Sequence, residues 1–377
     1  MAQYQDIDEY REKKRRQKRN RILLALGFLA AALAVFLTVF FLVRNNRKSG
    51  LSDDASFPLS IRGEQLTDIH RVGGNLAVLT QSSLYVYDTG GSARYDVLHG
   101  CTNPAVCESG NRLLTYDRGG IKLRVDDADG NCNELNAENT ILCAQIASDG
   151  SVVLVTTHDQ YASFIQVYDA KMNLRYRYGS ATESFSMVSF SPDQKHIAAC
   201  AIGSSSGAFL AKVSVFDYTT EETARTYEIA DLLPLYAAYT ASSNLMIIGS
   251  DRLVLLNTET GETLETEYDG ALKQFVCDAD GMTAIATDNQ LNGASTLTLF
   301  DKSGKRVASV SVPDSSLDFC ISDNRVLFLG KKAVYHYDLS LNLQEEITLE
   351  SSAQKITYAN GSMFLLGADA VSKYSIR

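Results

Sequence analysis

The sequence predicts an all-β fold, an eight-bladed β-propeller preceded by one N-terminal transmembrane helix. An uncharged apolar run over residues 22–43 indicates the helix. From Phe57 onward, short segments alternate apolar and polar residues between Gly, Asn and Asp, a pattern typical of β-strands. A five-residue motif recurs in this region with a mean spacing of 41 residues, the length of one four-stranded propeller blade.

The apolar run has 22 residues, which is long enough at about 1.5 Å per residue to cross a bilayer core of roughly 30 Å. Eight Lys or Arg residues precede it and three follow closely. This asymmetry predicts a cytoplasmic N-terminus and places residues 44–377 outside the membrane. We therefore expect a basic cytoplasmic tail (1–21), a transmembrane helix (22–43), a linker (44–56) and an extracytoplasmic propeller (57–377).

Two other interpretations of the run stay open. Its alanines, Ala30, Ala31, Ala32 and Ala34, could be read as the cleavage region of a signal peptide, but no polar flank follows them. Gly27 and Ala31 are spaced four apart, as in helices that approach closely, which predicts at most a weak homodimer through the membrane helix.

The repeated motif, such as Leu-Tyr-Val-Tyr-Asp, reads as a strand that ends in a turn capped by Asp or Asn. Its copies end at Asp88, Asp126, Asp169, Asp217, Asn257, Asp301 and Asp338, and a degenerate eighth copy ends at Ser375. The eighth copy has no room for a fourth strand before Arg377. We expect the alternating segment of Phe57, Leu59 and Ile61 to complete this blade and close the ring. Seven blades is the alternative.

A second recurring corner separates the first two strands of each repeat, for example at Asp149–Gly150 and Asn360–Gly361. In the fourth repeat the corner reads Ser-Phe-Ser-Pro-Asp-Gln-Lys-His-Ile-Ala, residues 189–198. This stretch resembles the Ser-Pro-Asp-Gly-Lys turn of the WD40 and TolB-like propeller superfamily, with Gln194 where that family usually has Gly. The whole arrangement resembles the membrane-anchored propellers of domain-of-unknown-function 5711. The resemblance implies an uncharacterised cell-surface role and adds no active site.

Composition argues against several activities. Beyond Lys48 the chain has 24 Lys or Arg and 41 Asp or Glu, a net charge of −17, which argues against nucleic acid as a partner. No Trp is present, so the tryptophan docking motif that quinone-dependent propeller dehydrogenases share is missing. The acidic segment Asp126–Asn131 superficially resembles a calcium loop, but it lacks the distal Glu of the EF-hand and is read as a turn.

The five histidines are spread along the chain without a catalytic motif, at His70, His99, His158, His196 and His336. The seven cysteines show no metal-binding spacing; Cys101 and Cys107 are the only pair considered for a disulfide, while Cys143, Cys200, Cys277 and Cys320 lie in apolar strand contexts. We therefore predict no catalytic, cofactor-binding or metal-ligating residues.

The predicted function is a protein-binding scaffold held in the cell envelope by its membrane helix, with no enzyme activity. The partners expected are membrane lipid around residues 22–43 and an envelope protein. Two alternatives stay open: a sensor module that binds a small ligand, peptide or glycan at the central channel, and an unrecognised hydrolase.

Overall fold

Alternating sequence and short turns produce antiparallel meanders, and in the computed structural model eight such sheets form a ring. The structure describes residues 50, 51, 56–61, 63–220, 224–278, 280–288, 294–312 and 314–376. Gly50–Ile376 form one compact unit. Within the described residues, no helix is long and apolar enough to cross a membrane. The predicted span at residues 22–43 lies outside them, as does most of the predicted linker.

Seven blades are built from consecutive strands. The first strand in chain order, β1 (Gly50–Leu51), belongs to the last blade. Blade one comprises β2 (Leu66–Val72), β3 (Asn75–Thr80), β4 (Ser83–Tyr87) and β5 (Ala93–Leu98); blade two β6 (Pro104–Ser109), β7 (Arg112–Asp117), β8 (Lys122–Asp127) and β9 (Cys132–Asn136); blade three β10 (Ile141–Ile146), β11 (Val152–Thr156), β12 (Ser163–Tyr168) and β13 (Leu174–Ser180); blade four β14 (Phe185–Phe190), β15 (His196–Ser205), β16 (Ala208–Asp217) and β17 (Arg225–Ala230).

Blade five comprises β18 (Pro234–Ala241), β19 (Asn244–Gly249), β20 (Arg252–Asn257) and β21 (Thr263–Glu267); blade six β22 (Ala271–Cys277), β23 (Thr283–Asp288), β24 (Ser295–Phe300) and β25 (Arg306–Val312); blade seven β26 (Asp318–Ser322), β27 (Arg325–Leu329), β28 (Ala333–Asp338) and β29 (Leu343–Thr348); blade eight β30 (Lys355–Ala359), β31 (Ser362–Leu366), β32 (Val371–Ser375) and β1. The prediction of an all-β propeller with eight blades is confirmed, and the seven-bladed alternative is wrong.

The first strand of each blade lies toward the centre, and β2 of blade one lies against β30 of blade eight, which closes the ring. Buried apolar clusters fill the spaces between neighbouring blades. Between blades three and four, for example, Val153 and Ile165 pack with Phe185 and Phe216. Burial of such side chains contributes roughly 25 cal/mol per Å2, so the interfaces between blades supply most of the hydrophobic stabilisation.

The closing strand of blade eight differs in detail from the prediction. β1 pairs with β32 through Gly50↔Ser375 and Leu51↔Tyr374, so the strand starts inside the segment expected to be linker. The expected segment contributes a single bridge, in which Leu59 and Val371 exchange backbone hydrogen bonds of 2.9 and 2.8 Å. Phe57, Leu59 and Ile61 also pack against the apolar cluster between blades eight and one. This segment therefore does help to close the ring.

Glu64 connects the closing segment to blade one. Its carboxylate accepts hydrogen bonds from four hydroxyl groups of that blade, those of Thr80, Ser82, Ser83 and Tyr85. These hydrogen bonds, that of Thr80 foremost, lower the pKa of Glu64 below its ordinary value. Glu64 is therefore anchored in its ionised form.

The recurring Asp or Asn caps the turn between the third and fourth strands, as predicted. In blade one, the Asp88 Oδ1 atom accepts the backbone N–H groups of Gly90 (2.9 Å) and Ser92 (3.0 Å). Equivalent bonds form at Asp169, Asp217, Asn257, Asp301 and Asp338. In blade two, however, the cap is Asp127 rather than Asp126. Asp126 is fully buried and instead binds the guanidinium group of Arg124 at 2.8 Å.

Candidate functional site

The residues that the sequence singled out are held apart by the fold. His70 lies on β2, His99 between β5 and β6, His158 between β11 and β12, His196 at the start of β15 and His336 on β28. Among the described residues, no group of three or more His, Cys, Asp or Glu side chains is placed to hold a metal ion. In the segment read superficially as a calcium loop, Asp127 instead caps the turn.

All seven cysteines are free thiols, including the candidate pair Cys101 and Cys107. The Cys101 Sγ atom lies 3.6 Å from the carbonyl oxygen of His99, and that of Cys107 lies 3.4 Å from the carbonyl oxygen of Ala144. Burial raises the pKa of both thiols to about 11. They are therefore poor nucleophiles at neutral pH.

A cluster of charged side chains lies on the inner strands of blades one and two. The His70 Nδ1 atom lies 3.1 Å from the Glu108 carboxylate, and its Nε2 atom lies 3.6 Å from Asp68. Burial lowers the pKa of His70, but the hydrogen bond with Glu108 and the charge of Asp68 outweigh it, so the pKa is raised. Arg71 donates to the Ser322 hydroxyl (3.1 Å) of blade seven and so reaches past blade eight.

The polar side chains of the inner strands mostly bind the neighbouring blade. Glu108 accepts the backbone N–H of Arg71 at 2.9 Å, and Asp318 accepts that of Ile356 at 2.9 Å. Gln145 and Ser189 accept backbone N–H groups of the next blade in the same way, at 2.8 and 3.0 Å. These hydrogen bonds satisfy backbone groups at the centre of the ring and hold the blades in register.

A different kind of surface projects from blade four. Its second and third strands, β15 and β16, each have ten residues, whereas their counterparts in the other blades have five or six. Ser206 and Gly207 join them in a two-residue turn with φ values of 52° and 86°. Positive φ at both positions is typical of a tight type I′ hairpin. We call Ile202–Phe209, the part that extends past both neighbouring strands, the blade-four hairpin.

The blade-four hairpin carries an exposed apolar face. Ile202 pairs with Ala211 and Ser204 with Phe209, so alternation places Ile202 and Phe209 on the same face. Farther down the same face, Cys200 and Ala211 are buried against blade five. Ile202 and Phe209 are 48% and 54% exposed. The apolar face between blades four and five therefore continues beyond blade five into solvent.

An aromatic group occupies the corresponding connection of blade three. Tyr161, 39% exposed, lies beside His158 and Phe164, with ring centroids 5.0 and 5.9 Å away. The Tyr161 ring packs directly on Gly179, so that a Cβ atom at position 179 would lie only 2.7 Å from the ring. Because the strands of each blade alternate in direction, this connection and the hairpin turn lie on the same face of the ring. That face therefore presents exposed apolar groups on two adjacent blades.

The sequence analysis did not identify this surface, although two signals pointed to it. The spacing between Asp169 and Asp217, 48 residues, is the longest between motif copies and contains the hairpin. Residues 197–211 also form an uncharged stretch in an otherwise strongly acidic domain. A long repeat with an uncharged interior predicts a projecting element, but it does not show which side chains stay exposed.

The fold thus defines an eight-bladed β-propeller with an exposed apolar hairpin. The chain belongs to a family of unknown function, DUF5711, whose model matches residues 58–375. This confirms the predicted family, whereas the membrane anchor at residues 22–43 stays a prediction. No curated protein sequence is significantly similar to the chain.

Many solved structures share the fold, among them the following three. The C-terminal WD40 domain of Sif2 is 12% identical with a TM-score of 0.62, over 88% of this chain and 100% of that one. The computationally designed Ika8 protein is 14% identical with a TM-score of 0.59, over 84% and 98%. BamB from Moraxella catarrhalis is 13% identical with a TM-score of 0.53, over 88% and 99%. At these identities the similarity shows the fold alone.

Proposed function

We propose that this protein is a non-enzymatic scaffold that binds a partner protein in the cell envelope through the face carrying the blade-four hairpin. The observation that carries the proposal is the apolar face of Ile202 and Phe209, which continues a buried interface into solvent. Contiguous exposed apolar surface on a folded domain commonly marks an interaction site. On the inner strands, in contrast, Glu108 and Asp318 are engaged in hydrogen bonds with neighbouring blades.

The apolar run at residues 22–43 and the basic residues before it support the placement in the envelope. In this proposal the run spans the cell membrane, contacts lipid and self-associates at most weakly, and the propeller faces outward. Its net charge of −17 favours a partner protein over nucleic acid.

Site-specific photo-crosslinking in intact cells tests the binding surface. The full-length chain would carry p-benzoylphenylalanine in place of Phe209, and a matched variant would carry it in place of Leu343, which is 51% exposed on the outer strand of blade seven. We expect a reproducible protein adduct from position 209 and none of the same mass from position 343. The absence of an adduct at 209, or the same adduct at both positions, would contradict the proposal.

The exposed thiol of Cys132 tests the orientation. A membrane-impermeant maleimide added to intact cells should label the full-length chain, and the Cys132→Ser variant should lose the label. Labelling that appears only after the cells are lysed would place the propeller in the cytoplasm.

A further inference from the structure

We infer that the blade-four hairpin binds an extended, basic segment of the partner protein as an added β-strand along β15. This inference rests on the proposed scaffold function and specifies how the partner is recognised. It is carried by three features of the hairpin: its open backbone edge, its apolar face and the charges around its base.

The edge of β15 is open beyond Ala201. Pairing of β14 with β15 ends at Phe185↔Ala201, whereas β15 continues to Ser205. Among the described residues, no backbone group outside β16 bonds to Ile202–Ser205. On a strand, the backbone groups of every second residue point to the same edge. The hairpin therefore presents N–H and C=O groups that a further strand could pair with.

Folded proteins usually protect such edges with charged residues, proline or a covering loop. Within the hairpin itself, neither a charged residue nor a proline provides this protection. The hairpin sequence, Ile-Gly-Ser-Ser-Ser-Gly-Ala-Phe, contains no charge and no proline. Gly203 has no side chain and those of Ser204 and Ser205 are small, so the backbone edge is accessible, while Ile202 and Phe209 offer apolar contacts on one face. An added strand gains affinity from main-chain hydrogen bonds and specificity from alternate side chains.

Charges at the base of the hairpin define the chemistry of the segment. Lys212 lies 3.1 Å from Glu183 and 3.7 Å from Glu228, and Arg252 lies 3.1 Å from Asp251 and 2.8 Å from Glu265. Arg252 also donates to the backbone oxygen of Asp231 (3.0 Å), just after the end of β17. Four carboxylates thus surround two basic groups, and Glu183, just before β14, lies on the side of the open edge. This excess of negative charge favours a segment flanked by Lys or Arg. The same charge, with the net −17 of the domain, disfavours a second copy of this chain.

Hydrogen–deuterium exchange on the purified full-length protein tests the inference with defined peptides. The probe is a nine-residue peptide of alternating Val and Thr with Lys at both ends. Matched peptides carry Glu at the ends or N-methyl groups on every Val and Thr, which blocks both edges of the peptide strand. We expect the Lys peptide to slow amide exchange within residues 202–205 several-fold. The Glu peptide should have a smaller effect, and the N-methylated peptide should have none.

Several outcomes would overturn the inference. Unchanged exchange at residues 202–205 with the Lys peptide, or equal protection by the N-methylated peptide, excludes strand addition. If the photo-adduct at position 209 nevertheless forms in cells, the scaffold proposal stands and only this mode of recognition fails. Protection that rises with protein concentration in the absence of peptide would identify a second copy as the occupant. In the Ile202→Lys variant the added charge should reduce the effect of the Lys peptide, whereas Leu343→Lys should not.

Discussion

Replacement of Phe57 by Ala tests how the ring is closed. The centre of the half-buried Phe57 ring lies 5.6 Å from that of the fully buried Phe364 ring. The Lys373 ammonium group lies 5.4 Å from the centre of the Phe57 ring. Loss of a fully buried Phe side chain costs about 3–5 kcal/mol. For a half-buried ring we expect about 2 kcal/mol, including the aromatic contact. For a domain of this size that corresponds to a decrease in Tm of roughly 4 °C.

Thermal unfolding followed by circular dichroism measures this effect. Leu98→Ala is a suitable control, since the Leu98 side chain is 77% exposed and its removal should change stability by less than about 0.5 kcal/mol. A double-mutant cycle of Phe57→Ala with Phe364→Ala should give a coupling energy of about 1 kcal/mol. If Phe57→Ala is as stable as Leu98→Ala, or if the coupling is zero, the segment does not help to close the ring.

Three other substitutions test the structure. Because hydrogen bonds lower the pKa of Glu64, its carboxylate stabilises the fold above about pH 4.5 and loses this effect as the pH falls through the folded-state pKa. Glu64→Gln should therefore lower the urea midpoint at pH 7 and much less at pH 3; equal losses would contradict this. Asp126→Asn leaves Arg124 with only the exposed carboxylate of Glu134 and should cost about 2 kcal/mol in urea unfolding, while a loss below about 0.5 kcal/mol would mean that the pair is not structural. Cys132 should react first with a thiol reagent in the native protein, and Cys132→Ser should remove only that fast phase; a fast phase that persists would show another thiol accessible.

The blade count could be predicted from the sequence because the signals are local. Strand alternation and turn chemistry depend on a few consecutive residues, and they recur eight times. Gln194 illustrates this: it occupies the position where the WD40-like turn usually has Gly, and its φ is 57°. A turn position that favours positive φ can thus be recognised even when its residue is not Gly.

Other features could not be predicted because they depend on distant contacts. In Val125–Asp127 two successive aspartates are equally suited to cap a turn, and sequence spacing alone does not choose between them. Asp126 shares a strand face with Arg124 two residues earlier, and this pairing leaves the cap to Asp127. Similarly, nothing local distinguishes the apolar residue Ile202, which is exposed, from Cys200, which blade five covers.

The division of polar and apolar groups explains why binding is expected at the face that carries the blade-four hairpin rather than in the channel of the ring. At the channel, Glu108 and Asp318 accept backbone N–H groups of adjacent blades, so a ligand there would compete with bonds that hold the ring together. At the blade-four hairpin, a partner that covers Ile202 and Phe209 would disrupt none of these bonds. It would extend a packed interface that already contains Cys200 and Ala211. Apolar burial there would therefore contribute to affinity without a compensating loss of propeller stability.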